Sequence, residues 1–468
     1  MVVAIAGAAS LLAATLVTAG GPAAAGQNLG TGRTSGLRSS QARALDVAPR
    51  PVNGRLVHAG SKPPTDAQCR ASTGLPCYSP REIRRVYGVN QLLKRGDDGK
   101  GETIVIVDSY GSPTIASDLA HFDAGYGLPA PPSFKILAPL GSKPHQLAWA
   151  GEVTLDVEWS HAMAPDASIV LLTSPVNETE GVHGMPQFNT LENYALDHHL
   201  GQVISQSWGA TENTLFTSAG RQVLQKFEAT YARAAAMHVT VLASTGDSGS
   251  ANPKRNGGTY PFPTVNFPAS SPLVTAVGGT SLYASTSGNY KSETVWNSDG
   301  GATGGGISQY FGEPLYQRFL PASDQALLGG HRATPDISWN ADPSTSILVY
   351  LSFLGPKRAG YYTIGGTSEG SPDWAGLTAD LDQLAGHPIG LLNPYLYALG
   401  AAGIGFHDVT VGNNSLNGVP GYSATPGWDP ATGWGTPDLG QLLPDIAYLA
   451  RGNPSAQTLL SRAESLRG

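Results

Sequence analysis

Two carboxylates with helical spacing stand out as groups that could exchange protons. Glu152 and Asp156 are spaced i, i+4 in the segment GEVTLDVEW, which places them about 40° apart on one face of a helix. Neighbouring carboxylates repel each other, but they can coexist when they share a proton. The same spacing also suits a solvated acidic face near a helix N-terminus. The pair alone therefore predicts either a proton-sharing site or an acidic surface.

A serine and a third acid could complete a site for nucleophilic chemistry. Ser368 follows Gly-Gly-Thr, between a strand-like run and a helical pattern. A serine there is often a helix N-cap. The position also exposes the hydroxyl beside backbone N–H groups and a positive dipole end, which would help attack on a carbonyl carbon. Asp247, in STGDSG, has the simpler interpretation of an Asx-turn.

The elements that must position these residues alternate between strands and helices. The predicted strands are Thr103–Asp108, Ser168–Thr173, Gln202–Gln206, Val239–Ser244, Leu273–Val277, Ile347–Leu351 and Tyr361–Ile364. The predicted helices are Thr114–Phe122, Gly151–Met163, Asn189–His198, Phe216–Met237, Ser368–Leu384 and Leu391–Gly400. This alternation predicts an α/β fold, with a mostly parallel central sheet flanked by helices on both faces. We expect the site beyond the carboxyl ends of the strands.

The composition excludes several classes of protein. The chain has 468 residues, of which 41% are hydrophobic and 13% charged, with a net charge of −7, 59 glycines and 35 prolines. The apolar content can supply a large core, and the small net charge argues against general disorder. The glycines show no collagen-like period, and heptads are absent. Without a basic cluster, electrostatic binding of nucleic acid is not expected.

The two ends of the chain carry different signals. Residues 1–25 have an uncharged apolar run that ends in Ala-Ala-Ala, which predicts a secretory signal peptide, with a buried helix or membrane anchor as the alternative. Residues 26–75 lack apolar periodicity and are interpreted as a linker or short pro-segment, and residues 451–468 as a flexible tail. We expect a secreted, extracellular monomer without stable membrane association.

The only two cysteines, Cys69 and Cys77, lie close together near the end of the predicted linker. In an exported chain this spacing predicts a disulfide that closes a small loop. A metal site would need further ligands nearby, and the sequence offers none there.

Taken together, these segments resemble the sedolisins, the serine-carboxyl peptidases of family S53, whose fold is subtilisin-like. The main matches are E-x-x-x-D at 152–156, S-x-G-D at 244–247 and G-G-T-S-x-x-x-P at 365–372. Supporting matches occur at 78–88, 207–209, 260–261, 276–280, 304–306 and 335–338. The resemblance covers about residues 76–445, and we assign 76–450 to the peptidase domain.

The resemblance implies a role for each of the four groups. Ser368 would be the nucleophile, Glu152 the general base, and Asp156 the acid that orients Glu152 and shares its proton. Asp247, when protonated, would donate to the oxyanion beside the Ser368 N–H. A carboxylate can serve as base if a second acid raises its pKa. Asp247 must hold a proton to donate, so the resemblance implies activity at acid pH.

The resemblance also implies sites for the substrate and for one Ca²⁺ ion. Ser207, Trp208 and Gly209 would form the substrate-binding strand, and Gly304, Gly305 and Gly306 a facing loop. The calcium ligands would be the carboxylates of Asp408 and Asp429 and the carbonyls of Val409, Thr425 and Gly427. Such an oxygen cage suits Ca²⁺. From the residues alone, a loop with two Asx-turns is the alternative.

Some features depart from the family or from its subtilisin relatives. The segment before Tyr78 is too short for the long pro-domain that the family usually carries, so the chain resembles its short bacterial members. Asp108 lies where subtilisins keep a catalytic aspartate, but their H-G-T motif is absent. We interpret Asp108 as structural or as a hydrogen-bond acceptor, and His161 as a helix-surface or supporting group.

The sequence therefore predicts a secreted, acid-active serine-carboxyl endopeptidase that cleaves proteins or peptides through an acyl-enzyme. One alternative is an inactive or latent secreted binding protein on the same scaffold. Another is an esterase, because GTSEG at 366–370 matches G-x-S-x-G. That class needs a separate Asp and a later His, and His407 and Asp408 are adjacent and better suited to the calcium loop.

Overall fold

The computed structural model describes residues 55–58, 60, 62–285, 288–451 and 456–466. The predicted signal peptide, residues 1–25, lies outside the described residues, as does the first part of the predicted linker.

The strands and helices are numbered here along the chain. The strands are β1 (Arg55–His58), β2 (Thr103–Ser109), β3 (Phe134–Leu137), β4 (Ser168–Ser174), β5 (Val203–Gln206), β6 (Ala210–Thr211), β7 (Thr240–Ser244), β8 (Asn266–Phe267), β9 (Thr275–Ala284), β10 (Tyr290–Val295), β11 (Asn297–Ser298), β12 (Gly301–Ala302), β13 (Gly306–Gly312), β14 (His331–Thr334), β15 (Ile337–Asn340), β16 (Ile347–Leu351), β17 (Gly360–Ile364), β18 (Phe406–His407) and β19 (Thr436–Pro437). The helices are α1 (Asp66–Thr73), α2 (Pro80–Val86), α3 (Val89–Leu93), α4 (Ile115–Tyr126), α5 (Leu147–Met163), α6 (Met185–Asp197), α7 (Ser218–Ala236), α8 (Ala322–Leu328), α9 (Gly370–Ala385), α10 (Asn393–Ala401), α11 (Leu439–Ala450) and α12 (Ala456–Ser465).

A central sheet of eight strands organises the fold. Its order is β10-β9-β7-β5-β2-β4-β3, and β15 also pairs with β9. Every pairing in this sheet is parallel except β10 with β9. The predicted α/β class with a mostly parallel sheet is therefore confirmed.

Helices cover both faces of this sheet, as predicted. Along β2, Ile104 and Ile106 belong to one hydrophobic cluster, and Val105 and Val107 belong to another. The first cluster includes residues of α5, α9 and α11, and the second includes residues of α6 and α7. A strand buried on both faces reads as a continuous apolar run, which explains the run Thr103–Val107.

Helix α5 is buried on nearly all sides. Every residue from Trp149 to Met163 is buried, because the helix lies against the sheet and against α9 and α4. A helix buried on all sides is ordinarily apolar all round, whereas α5 carries Glu152, Asp156 and Glu158. The carboxyl groups that this helix carries are consequently taken out of water.

A smaller antiparallel sheet stands beside the central one. Its order is β1-β17-β16, so the predicted strands near 347–351 and 361–364 are present but lie outside the parallel sheet. Strand β17 leads directly into the Gly-Gly-Thr-Ser turn. Leu56 of β1 pairs with Tyr362 of β17, which ties the chain before the domain to the strand that precedes Ser368.

The described part of the predicted linker is structured, because α1 begins with a capping box in which Thr65 and Gln68 bond reciprocally. The predicted disulfide between Cys69 and Cys77 is present and joins the end of this segment to the start of the domain. The predicted tail contains α12, whose Leu459 is buried. These short amphipathic pieces lack a long apolar period, so periodicity alone does not reveal them.

None of the helices among the described residues has the length and apolar character that a membrane crossing requires.

Candidate active site

Glu152 and Asp156 lie inside the protein, one turn apart on α5. Their side chains are at most 1% exposed, so the alternative of a solvated acidic helix face is excluded. Burial raises the pKa of both carboxyls well above their ordinary values. For Glu152 the Ser368 side chain opposes this rise in pKa, and the charges of Asp108 and Asp247 add to it. The pair therefore holds a proton far more readily than a surface pair would.

The Ser368 hydroxyl is near Glu152 without a fully formed hydrogen bond to it. Ser368 favours the charged form of Glu152, yet neither carboxylate oxygen of Glu152 accepts a well-aligned hydrogen bond from the described residues. Such contacts are often loose before a substrate binds. The arrangement places a hydroxyl beside a carboxyl of raised proton affinity.

Ser207 connects Asp156 to the serine segment. Its Oγ donates a hydrogen bond to Oδ1 of Asp156 at 3.0 Å and lies 3.4 Å from the carbonyl oxygen of Ser368. Ser207 is 2% exposed. Its side chain therefore holds a carboxylate inside the protein, whereas the resemblance implied that Ser207 contacts substrate.

Asp108 is a third buried carboxyl beside the pair. It lies near the carboxyl end of β2, is fully buried, and accepts no hydrogen bond from the described residues. Burial raises the pKa of Asp108 to about 8. Its charge contributes to the raised pKa of both Glu152 and Asp156. The expectation of a hydrogen-bond acceptor is not met, and Asp108 acts on the pair electrostatically.

His161 lies one turn beyond the pair but faces a different neighbour. Its Nε2 is 3.2 Å from Oδ1 of Asp123 and 2.8 Å from the carbonyl oxygen of Pro129. The side chain is fully buried, because α4 and the loop after it cover this side of α5. The expectation that His161 is a helix-surface group is therefore wrong, and its contacts support the packing of α4.

The turn that carries Ser368 requires glycine. Gly366 has φ +128°, and a Cβ there would lie 2.8 Å from Oδ2 of Asp247. Helix α9 begins only at Gly370, and no side chain caps it, so Ser368 is not its N-cap. Within the described chain, the Ser368 N–H donates no hydrogen bond. The Ser368 N–H is thus a free hydrogen-bond donor next to the Ser368 hydroxyl.

Asp247 faces this turn and makes no Asx-turn of its own. Both the N–H and the Oγ1 hydroxyl of Thr367 donate to Oδ1 of Asp247, each at 2.8 Å. Burial raises the pKa of Asp247 to about 6, while the Thr367 bonds oppose the rise. Both of these bonds go to Oδ1, and Oδ2 makes no hydrogen bond with the described residues. Oδ2 is therefore available to a ligand. When protonated, Asp247 could therefore donate from this oxygen.

The two segments expected to bind substrate flank the turn. Trp208 is 3% exposed, and its Nε1 donates to the carbonyl oxygen of Val107 at 2.9 Å. Gly304 donates its N–H to the carbonyl oxygen of Gly246, next to Asp247, at 2.6 Å. Because the Trp208 side chain is committed to the core, only the backbone of its segment is left for a substrate.

The five expected calcium ligands lie in loops between β18 and β19. Gly427 N–H donates to Oδ2 of Asp408 at 3.0 Å, and Thr425 N–H donates to Oδ2 of Asp429 at 3.1 Å. The described residues contain no cluster of three or more His, Cys, Asp or Glu side chains suited to a metal. A site here would depend on carbonyl oxygens, such as that of Val409.

Charge at these loops is nevertheless unbalanced. Neither Asp408 nor Asp429 forms an ion pair with any described residue. Burial raises the pKa of Asp408, and raises that of Asp429 to about 6. Asp429 also accepts the N–H groups of Ala431 and Thr432 at 2.8 and 2.9 Å, so its carboxylate makes an Asx-turn. Two carboxylates without a cationic partner among the described residues are still the kind of oxygen ligand that Ca²⁺ prefers.

Sequence reasoning missed two residues of the site. Thr367 holds Asp247 with two hydrogen bonds, and its place before the serine was the available signal. Asn414 donates to the carbonyl oxygen of Gly305 at 3.2 Å. Nothing local in the sequence marks Asn414, because Gly305, which accepts from its side chain, is 109 residues away.

No model of a known protein family matches the chain. Kumamolisin from Bacillus sp. (strain MN-32) is 36% identical over 383 residues, which cover 79% of this chain and 64% of kumamolisin. Tripeptidyl-peptidase sed4 from Aspergillus fumigatus is 33% identical over 440 residues, which cover 80% of this chain and 68% of that protein.

Among solved structures, Pseudomonas sedolisin, a serine-carboxyl proteinase in complex with pseudo-iodotyrostatin, aligns with a TM-score of 0.69 at 29% identity. The alignment covers 81% of this chain and all of that structure. The chain spans less than two thirds of the length of kumamolisin, although it spans the whole of the sedolisin structure.

Proposed function

The chain belongs to the sedolisin family, and from that premise we propose that it is an acid-active serine-carboxyl endopeptidase. The observation that carries this proposal is the meeting of Ser368, the Glu152–Asp156 pair and Asp247 at one turn. Ser368 acts on the proton affinity of Glu152, and Asp247 is bonded to Thr367, the residue before Ser368. These groups come from α5, from the turn after β7 and from the turn after β17.

In the proposed first step, the Ser368 Oγ attacks the carbonyl carbon of a peptide bond while its proton passes to Glu152. One proton held between Glu152 and Asp156 leaves a carboxylate free to accept another. The carbonyl oxygen becomes an oxyanion beside the Ser368 N–H and the protonated Asp247. Glu152 then gives its proton to the leaving amine, and an acyl-enzyme forms.

In the second step water takes the place of the amine. Glu152 accepts a proton from the water as its oxygen attacks the acyl carbon, and the proton returns to the Ser368 oxygen as the ester bond breaks. The carboxylic acid product leaves and the serine is regenerated. Asp156, held by Ser207, keeps Glu152 oriented throughout.

We further propose that Asp408, Val409, Thr425, Gly427 and Asp429 hold one Ca²⁺ ion. The support is a pair of carboxylates without an ion-pair partner among the described residues, each bonded to the backbone of the segment 425–427. A bound calcium ion would supply charge balance and fix the loops, and the peptide-bond chemistry would not use it. Its role would be stability.

Residues 76–450 would form the peptidase domain, with residues 1–25 as a signal peptide for export to the extracellular space. The partners would be proteins or peptides, bound by the segments 207–209 and 304–306. We propose a monomer that does not bind nucleic acid or associate stably with membranes after removal of the signal. An acidic environment outside the cell would suit the protonated Asp247.

The test is digestion of an unfolded protein substrate by the purified chain across pH 2–8. Cleavage should peak at acid pH and disappear in Ser368→Ala. The control is Ser371→Ala, because among the described residues the Ser371 Oγ bonds to Ser205 and Gln206 of β5 and to no proposed catalytic group, so cleavage should stay intact. Equal cleavage by Ser368→Ala, or no cleavage by the folded wild type at any pH, would overturn the proposal, the latter in favour of an inactive or latent protein.

A second measurement separates internal cleavage from removal of terminal tripeptides. An endopeptidase cuts a peptide with a blocked amino terminus as readily as the free peptide, and it yields internal fragments. A requirement for the free amino terminus, with tripeptide products, would show that the enzyme is a tripeptidyl-peptidase.

A further inference from the structure

Asn414 is a fully buried polar residue outside the catalytic groups. It lies in the long connection between β18 and β19, six residues after Asp408. A buried amide must find partners for both ends of its side chain, or its burial costs stability. The partners of Asn414 come from loops on both sides of the site.

The side chain of Asn414 joins two of these loops. Its Nδ2 donates to the carbonyl oxygen of Gly305 at 3.2 Å, and its Oδ1 accepts the N–H of Tyr422 at 2.8 Å. Tyr422 in turn fills the space beside Gly306, where a Cβ would lie 2.9 Å from its ring. The loop at 304–306 is thus held from two sides by the connection between β18 and β19.

The backbone of Asn414 reaches the segment that carries Asp247. Its carbonyl oxygen accepts the N–H of Ser250 at 3.0 Å. Gly249 approaches so closely that a Cβ there would lie 2.4 Å from the same oxygen. The connection therefore touches the chain two and three residues after the proposed oxyanion acid.

The loop at 304–306 and the Asp247 segment are also bonded directly to each other. Ala302 N–H donates to the carbonyl oxygen of Asp247 at 3.1 Å, and Gly304 N–H donates to that of Gly246 at 2.6 Å. Asn414 adds a second link between these two segments, because its side chain bonds to Gly305 and its carbonyl oxygen bonds to Ser250. Displacing its side chain would free Gly305 to move relative to Asp247.

We propose that Asn414 is a positioning residue that fixes the 304–306 loop against the Asp247 segment. The carbonyl oxygen of a substrate bound by this loop would then lie beside Asp247 and the Ser368 N–H. This inference rests on the proposed function, since it assumes that 304–306 contacts substrate. Asn414 touches none of the proposed reacting atoms. It acts through the Gly305 carbonyl and the Ser250 N–H.

The kinetic test is Asn414→Asp, which preserves size and one acceptor but replaces the NH₂ donor. At low pH the introduced carboxyl is protonated and its O–H can donate to the Gly305 carbonyl, whereas its ionised form repels that oxygen. At pH 3 the KM of the variant should be within about twofold of the wild-type KM. The ratio of the two should rise about tenfold towards pH 7, because the Gly305 carbonyl then loses its hydrogen-bond donor. The corresponding ratio of kcat should change less.

Two further variants keep this test decisive. Asn414→Ala lacks the donor at every pH, so its KM should be raised throughout. Ser415→Ala removes only a bond within the connection, from Gly421 N–H to Ser415 Oγ at 2.8 Å, and should match the wild type. A KM ratio for Asn414→Asp that does not change with pH, or that Ser415→Ala reproduces, would overturn the proposal.

Amide hydrogen exchange in a Ser368→Ala background provides a readout that needs no activity. Asn414→Ala deprives the Tyr422 N–H of its acceptor, Asn414 Oδ1, so exchange at Tyr422 should speed about tenfold, corresponding to one lost hydrogen bond. Exchange at Gly304 should also speed, because Gly305 loses the Asn414 Nδ2 bond that holds its loop, and Ser415→Ala should change neither rate. Unchanged exchange in Asn414→Ala would contradict the link between the loops. Faster exchange in a protein whose wild type cleaves nothing would support the link while overturning the proposed function.

Discussion

The Ser207 hydroxyl donates its hydrogen bond to Oδ1 of Asp156, which is buried on the helix that carries Glu152. This bond favours the charged form of Asp156 against the effect of burial on its pKa. Removing it in Ser207→Ala should lower kcat about 10- to 100-fold, since a hydrogen bond to a charged group contributes about 1.5–3 kcal/mol. The pH profile of kcat should shift as well, because the proton shared by the pair is then held more tightly.

The matched control for this prediction is Ser205→Ala, two residues earlier on β5. The Ser205 side chain bonds to the Ser371 hydroxyl at 3.0 Å and, among the residues the structure describes, to no carboxylate. It should leave the pH profile in place. An unshifted profile in Ser207→Ala would mean that Ser207 does not act on the pair.

Activity should decline as the pH rises through about 6, because Asp247 must hold its proton to donate to the oxyanion. Burial sets this value by raising the pKa of Asp247 to about 6. In Asp247→Asn the amide donates at every pH, so the residual activity should lose this alkaline limb. Steady-state kcat measured from pH 3 to 8 in both proteins checks the prediction, and a limb near pH 6 that persists in the variant contradicts it.

The sequence and the structure agree best where a pattern is local. The spacing of Glu152 and Asp156 placed both on one helix face, and apolar runs located the parallel strands. Burial of the pair was not predictable from spacing, because it arises from the packing of α5 against the sheet and against the separate helices α4 and α9. The hydrogen bond from Ser207 to Asp156 was not predictable for the same reason, since the two residues are 51 apart in sequence.

Calcium binding predicts a dependence of stability on the ion. Chelation should lower the Tm of the wild type, and added Ca²⁺ should restore it, because a ligand that binds only the folded state stabilises it. Asp408→Asn should abolish this response. The control is Asp197→Asn, an exposed surface residue paired with Arg233. Thermal melts with and without chelator measure the effect, and a wild-type Tm that ignores the chelator would exclude the ion.

Stability should fall as the pH rises above about 4, because several carboxyls are buried without cationic partners. Glu192 is an example: it is fully buried on α6, lies near Tyr231 of α7, and accepts no hydrogen bond from the described residues. Burial raises its pKa well above that of an unfolded glutamate. The folded chain therefore keeps a proton that the unfolded chain releases.

The contribution of Glu192 is complete below about pH 4.3 and is lost as the pH rises through its folded-state pKa, at about 1.4 kcal/mol per pH unit. Glu192→Gln should reduce the slope of unfolding free energy against pH by up to this amount. Urea denaturation at several pH values measures the slope. The exposed Asp197→Asn on the same helix is the control, and equal slopes in Glu192→Gln and wild type would contradict the assignment.

The disulfide between Cys69 and Cys77 encloses an exposed stretch that a protease could reach, including Arg70 and Leu75. A cut in this stretch would produce two polypeptides that stay covalently joined, with β1 still bonded beside β17. Processing alone would thus leave the three-stranded sheet complete. Only reduction of the sulfur bridge would let the amino-terminal fragment dissociate from the strand that leads to Ser368, so the redox state of the surroundings would determine whether a nicked enzyme remains whole.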